Sequence, residues 1–201
     1  FVNTISVLGI ILPLYYFIKM LTSKDVTAEE KPRVWAYIPL FLAAIIFWSL
    51  QEQGSSILAL FASERTQSTL FGVTIQASWY QSLNPIFIFI LTPIFVTMWT
   101  KLGKRQPSTV VKFSLGLLFA GLSYLLLMLP GMLYGTSGKV SPLWLLGSFF
   151  IVVIAELCLS PVGLSVTTKL APRAFESQTI AIWFLADASS QAINAQIARF
   201  Y

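Results

Sequence analysis

Five long apolar stretches dominate the chain, at about 34–62, 79–100, 109–130, 142–168 and 178–200, and a sixth, 1–20, opens it. A bilayer core of about 30 Å is crossed by roughly 20 apolar residues in a helix. Inside lipid every backbone N–H and C=O needs an internal partner, so runs this long and uniform predict helices rather than barrel strands. Composition agrees: only 10% of the residues are charged and 56% are hydrophobic, where soluble domains carry about 25% charged residues. The expected fold is therefore an all-α integral membrane bundle. Segment 1–20 is not read as a signal peptide, because it opens on Phe1 and lacks both a basic leader and a small-residue cleavage site. Both ends fall inside apolar runs, which suggests a piece of a longer protein.

The formal net charge is +5, but the basic residues form no patch interleaved with aromatics, so nucleic acid is not expected as a partner. They collect in alternate loops. Lys19, Lys24, Lys31 and Arg33 precede the second stretch; Lys101, Lys104 and Arg105 follow the third; Lys169 and Arg173 follow the fifth. The loops between carry only Arg65 and Lys139. The positive-inside rule then places 19–33, 101–107 and 169–177 on the cytoplasmic side, and 63–78 and 131–141 outside. Loop 22–33 reads as a solvated connector ending in proline. Cys158 has no disulfide partner in the chain and reads as a small core residue.

Asn84-Pro85, Thr92-Pro93 and Ser160-Pro161 put prolines within two of the predicted spans. Each removes one backbone hydrogen bond and favours a kink.

Polar residues three and four apart share a helical face. Ser49, Glu52, Gln53 and Ser56 do so in the second stretch, with Trp48 one turn before Glu52. Gln81, Asn84 and Thr92 lie on a similar side in the third; Glu156, Ser160, Gly163 and Thr167 in the fifth; Trp183, Asp187, Ser190 and Asn194 in the last, with Gln191 alongside. The neutral members could simply join helices, through interhelical hydrogen bonds worth about 1 kcal/mol. Glu52, Glu156 and Asp187 are different, because an ionised carboxylate at mid-membrane costs about 3 kcal/mol or more. Within the five stretches from 34 onward the only basic residues are Lys112 and Arg199, both near an end, where they are expected to snorkel toward an interface. The missing cations then come from another part of the molecule or from a substrate, in a central aqueous cavity. A carboxylate in such a cavity exchanges a proton more readily near neutral pH, and a nearby Lys or Arg opposes this. Competition between proton and cation would make Glu52 a coupling residue.

At these residues the chain resembles the proton-dependent oligopeptide transporter family of the major facilitator superfamily, and within it the bacterial di- and tripeptide transporters. The resemblance is carried by FWSLQEQGSS at 47–56, WYQSLNPIFIFILTPIF at 79–95, ELCLSPVGLSVTTKLAP at 156–172 and WFLADASSQAINAQ at 183–196. It implies the carboxy-terminal half of a transporter: residues 1–33 as a linking helix and cytoplasmic connector, and 34–201 as an incomplete bundle similar to helices seven to eleven. WTKLGKRQPS at 99–108 resembles the superfamily's short basic motif at a cytoplasmic turn, without its acidic member.

The resemblance also implies roles. Glu156 would receive the peptide's amino terminus, assisted by Asn84, with Trp183 and Ser160 completing the substrate-binding set. Glu52 would take part in proton coupling and gating, together with Gln51, which stands where some members carry a second acidic residue. Gln53, Ser56, Gln81, Asp187 and Ser190 are candidate pathway-lining residues, the role of Asp187 resting on its stripe alone. The implied function is proton-coupled import of di- and tripeptides by alternating access across a bacterial plasma membrane. The partners would be peptides, protons, lipid and an amino-terminal half; no cofactor or metal is expected beyond the coupling proton. The alternatives are transport of another solute such as nitrate, or a non-transporting membrane scaffold or receptor. An enzyme is disfavoured, since the chain has no histidine and no metal-ligand cluster.

Overall fold

The computed structural model describes residues 2–70, 72–135 and 138–197, with side chains described from Val7 onward. Its helices are α1 (Val2–Thr22), α2 (Lys31–Gln51), α3 (Ile57–Glu64), α4 (Leu83–Leu102), α5 (Thr109–Tyr134), α6 (Pro142–Leu170) and α7 (Glu176–Ile197). Short 3₁₀ turns lie at Glu52–Ser55, Ala77–Ser82, Gly103–Arg105 and Arg173–Phe175. The strands β1 (Thr69–Leu70) and β2 (Val73–Thr74) form a small antiparallel hairpin in the loop after α3. Gly72 turns it with a φ of 82°, a conformation that favours glycine.

Among the described residues, Lys31–Glu64, Ala77–Arg105, Thr109–Tyr134 and Pro142–Leu170 are long and apolar enough to cross a membrane. The apolar run Val7–Thr22 is shorter. The last expected span, 178–200, is helical over 22 residues of α7, but Asp187, Ser189, Ser190, Gln191 and Asn194 keep it out of that apolar set. Its membrane placement therefore rests on packing rather than on apolarity. Phe89 is 84% exposed and Met132 77% exposed, a surface that water would penalise and lipid accepts.

The chain divides into two compact units. One holds the described residues through Glu52 together with those from Leu159 on; the other is Gln53–Cys158. In the first unit α7 packs against α1 and α2. Phe17, Tyr37 and Phe41 cluster there, with Phe17 5.9 Å from Tyr37 and 5.3 Å from Phe41 between ring centroids. Met20 and Ile182 are fully enclosed. Gly9 lets α1 close onto α7: a Cβ at this position would lie 3.1 Å from the Ala188 carbonyl oxygen, and the Ser189 hydroxyl donates to the Gly9 carbonyl at 2.5 Å. Small residues at a helix contact allow this approach, and the packing it gives is what associates helices in lipid.

In the second unit Leu58, Ala62, Tyr80, Leu145 and Phe149 form one core cluster, and Leu91, Val153 and Leu157 another. The two loops assigned to the outside meet here. Thr66 bridges to Val140, Gln67 N–H donates to the Val140 carbonyl at 2.9 Å, and Arg65 Nη2 donates to the Gly135 carbonyl at 3.2 Å. Two loops assigned to the cytoplasm likewise meet in the first unit, where the Glu30 carboxylate accepts from the Arg173 N–H at 3.1 Å. Both pairings fit the alternation read from loop charge.

Four expectations are corrected. The stretch 34–62 is not one helix: α2 ends at Gln51, a 3₁₀ turn follows, and Ser56 sits at φ −116°, ψ −83° before α3 begins. Pro85 makes no kink, because α4 starts at Leu83 and a proline in a first helical turn removes no intrahelical bond; Pro93 and Pro161 do lie inside helices. The connector 22–33 is not simply solvated, since Val26 and Glu30 are buried. Lys112 does not snorkel: it is 8% exposed, its Nζ 4.2 Å from the centre of the Trp99 ring and 2.8 Å from Gln106 Oε1. Arg199 lies outside the described residues.

Candidate functional site

Within Gln53–Cys158, α4 and α6 bring Asn84 and Glu156 together. Asn84 Nδ2 donates to Glu156 Oε2 at 3.5 Å, both side chains being half-buried. Asn84 occupies the first turn of α4 because the 3₁₀ turn Ala77–Ser82 delivers the chain there and Pro85 fits that turn without loss. At this length the contact is weak; it orients the amide toward the carboxylate rather than locking the two. An acceptor-only carboxylate beside an amide that carries both donors and an acceptor is a receptor for a positively charged donor.

Other candidates of this unit gather around the break after Glu52. Ser56 Oγ donates to Gln53 Oε1 at 2.9 Å, and Gln81 Nε2 donates to the Gly54 carbonyl at 3.2 Å. The 3₁₀ turn replaces the continuous α-helical spacing on which the stripe Ser49, Glu52, Gln53, Ser56 was read, and Gln81 supplies a donor to its backbone. Thr92 donates to the Ile88 carbonyl one turn back, at 2.6 Å.

In the first unit, Trp48, Ser160, Pro161, Leu164, Trp183, Phe184 and Asp187 line a cavity of about 310 Å³. Trp183 is 4% exposed and lies directly against α6 at Gly163, where an added Cβ would overlap its Cη2, Cζ2 and Cζ3. The Oδ1 of Asp187 is enclosed and has no hydrogen-bond partner among the described residues. Ser190 is fully buried, its hydroxyl donating to the Asp187 carbonyl at 2.6 Å, and does not line this cavity. Glu52 belongs to this unit as the residue that ends α2, its N–H donating to the carbonyls of Leu50 and Trp48. Gln51 and Glu52 are both half-buried.

Some stripe residues do join helices. Ser49 Oγ donates to Asn194 Oδ1 at 2.5 Å while Asn194 Nδ2 donates to the Ser49 carbonyl at 3.1 Å. Thr167 Oγ1 donates to Tyr37 Oη at 3.0 Å and to the Gly163 carbonyl at 2.8 Å. Tyr37 was missed in the sequence because it stands alone among apolar neighbours and joins no polar stripe. Phe184 was missed for the opposite reason, as one aromatic among many. Gln106 was missed too: its Nε2 donates to the Trp99 carbonyl at 2.6 Å while its Oε1 accepts from Lys112, tying the basic turn 101–106 to α5. Among the described residues no group of three or more His, Cys, Asp or Glu could hold a metal ion.

The POT family matches residues 1–201, the whole of the chain. This chain belongs to the POT family. It is 57% identical over 201 residues to the di-/tripeptide transporter of Lactococcus lactis subsp. cremoris, covering 98% of this chain and 40% of that protein. It is 56% identical to the uncharacterized transporter YclF of Bacillus subtilis strain 168, covering 100% of this chain and 41% of that protein. Among solved POT structures, that of the peptide transporter POT in complex with sulfate is 58% identical with a TM-score of 0.95, over 100% of this chain and 41% of that one. A POT family transporter in complex with a thioalcohol conjugated peptide is 47% identical with a TM-score of 0.94, over 99% of this chain and 42% of that one. The chain thus spans about two-fifths of the length of the relatives it matches. Its fold is the POT helical bundle of the major facilitator type, in part, and it is a multi-pass membrane protein.

Proposed function

We propose that this chain is part of a proton-coupled symporter that imports di- and tripeptides by alternating access. The observation that carries the reading is the pairing of Asn84 with Glu156 inside membrane-length helices. A carboxylate held in an apolar bundle is costly unless a cation or a proton reaches it. The ammonium at a peptide's amino terminus supplies such a cation, and the Asn84 amide fixes its direction. Membership of the POT family, and relatives named as di-/tripeptide transporters or solved with a conjugated peptide, support peptide as the cargo.

In this reading Glu156 and Asn84 select the amino end, Trp183 and Ser160 receive a side chain by contact area, and Glu52 exchanges a proton for a cation carried by an amino-terminal half, with Gln51 beside it. Gln53, Ser56, Gln81, Asp187 and Ser190 belong to the pathway or its support. The 3₁₀ turn beginning at Glu52 puts the coupling carboxylate where the helix is already interrupted, and such interruptions are where secondary transporters bind ions and gate. The protein uses the proton as coupling ion, needs no cofactor and is a transporter rather than an enzyme.

The test is dipeptide uptake by the full-length protein in proteoliposomes under an imposed pH gradient, with Glu156→Gln as comparison. Uptake that follows the gradient and falls by about tenfold or more in the variant is expected, since a hydrogen bond to a charged group is worth about 1.5–3 kcal/mol. Uptake indifferent to the gradient, or unchanged in the variant, would count against the reading.

A further inference from the structure

We infer that the cavity between α2, α6 and α7 is a subsite for a cationic peptide side chain, with Asp187 as its anionic anchor and Trp48 and Trp183 as its walls. The inference rests on the peptide reading above and adds a residue and a substrate class to it. The cavity holds about 310 Å³, at the lower end of the range of small-molecule sites, about 300–1,000 Å³. That is room for a lysine or arginine side chain rather than for a whole peptide.

Its lining is selective. Pro161 and Leu164 offer apolar contact along the stem of a long side chain, Ser160 a hydroxyl, and Trp48, Trp183 and Phe184 three aromatic rings. Ring faces attract cations, tryptophan most strongly. Asp187 stands one helical turn beyond Trp183, so both side chains leave α7 on the same face, and its Oδ1 is enclosed without a hydrogen-bond donor among the described residues. No basic side chain lines the cavity. A carboxylate on an apolar cavity with no cation in its lining is unfavourable, and aromatic walls do nothing for a neutral ligand's charge. An ammonium or guanidinium in the cavity pairs with the half-buried Asp187 side chain and with the rings together. An anionic side chain would meet repulsion from both, so the same cavity rejects acidic residues.

The experiment measures binding of alanyl-lysine and alanyl-norleucine to the full-length protein, by competition against one labelled dipeptide. Norleucine reproduces the lysine stem without its ammonium, so the ratio of the two affinities isolates the charge. In the wild type alanyl-lysine should bind about tenfold more tightly. The ratio should fall toward one in Asp187→Asn. Trp48→Leu removes a wall without touching the carboxylate and should lower the ratio as well, so a poorly folding Asp187→Asn does not decide the matter. Equal affinities in the wild type, or a ratio that survives both substitutions, would overturn the subsite while leaving the peptide reading intact. If neither dipeptide binds the wild type, the peptide reading itself falls, and the subsite with it.

Discussion

The indole of Trp183 occupies the space that a side chain at Gly163 would need. The contact crosses from α7 to α6 and fixes the wall of the Asp187 cavity. Gly163→Ala must therefore push the indole aside, and overpacking of this kind costs about 1–3 kcal/mol. The expected result is a lower melting temperature for the full-length protein in detergent and weaker dipeptide binding, with a changed tryptophan emission spectrum. A variant that melts and binds like the wild type would mean that the indole moves freely.

The long Asn84–Glu156 contact leads to a different expectation. Because the amide orients the carboxylate without locking it, Asn84→Ala should weaken dipeptide binding less than Glu156→Gln does. The estimate is a loss of a few-fold, since a net hydrogen bond is worth about 0.5–1.5 kcal/mol. Competition with a dipeptide whose amino terminus is acetylated provides the check. Such a peptide lacks the ammonium, so the wild-type advantage of the free over the acetylated form should shrink in both variants, and most in Glu156→Gln.

The parts of this fold that periodicity and charge control are readable in the amino-acid sequence. Apolar length located the helices to within a few residues, and loop charge sorted the loops into the sets that pair through Glu30–Arg173 and Thr66–Val140. The break at Glu52–Ser55 was not readable, because QEQG contains no proline and its hydrophobic context continues on both sides. Its polar residues were visible, but their spacing was read on a helix that does not continue there. Lys112 was misplaced because proximity to a helix end says nothing about burial: the Trp99 ring and Gln106 Oε1 reach it through contacts that no helical periodicity encodes. The aromatic cavity around Asp187 combines residues from three helices: Trp48, Ser160, and Trp183 with Asp187 belonged to three separate stripes, and no single stripe encodes that they converge.

Ser49 and Asn194 exchange two hydrogen bonds between α2 and α7, so their contribution is to join helices rather than to move substrate. Ser49→Ala and Asn194→Ala should each lower stability modestly. Their double-mutant cycle should give a coupling of about 0.6 kcal/mol, and not above about 2. Dipeptide specificity should be the same in all three variants, measured as the affinity ratio between two neutral dipeptides. A changed ratio would place the pair in the pathway after all.

The tie between the two loops assigned to the cytoplasm depends on a charge. The Glu30 carboxylate accepts from the Thr27 N–H at 3.0 Å, from the Thr27 hydroxyl at 3.1 Å and from the Arg173 N–H at 3.1 Å. The Thr27 backbone bond, followed by that from Arg173, holds its pKa below the ordinary value of 4.5. A carboxylate with a lowered folded-state pKa contributes stability that is complete above the unfolded value and is lost as pH falls through the folded one. Glu30→Gln should therefore lower the melting temperature of the full-length protein at neutral pH, and the difference from the wild type should narrow once the pH drops below about 4.5. The narrowing should not begin between pH 5 and 7, where Glu30 stays ionised in both folded and unfolded chains. A difference that is constant down to strongly acidic pH would show that the Glu30 contacts act by shape and not by charge.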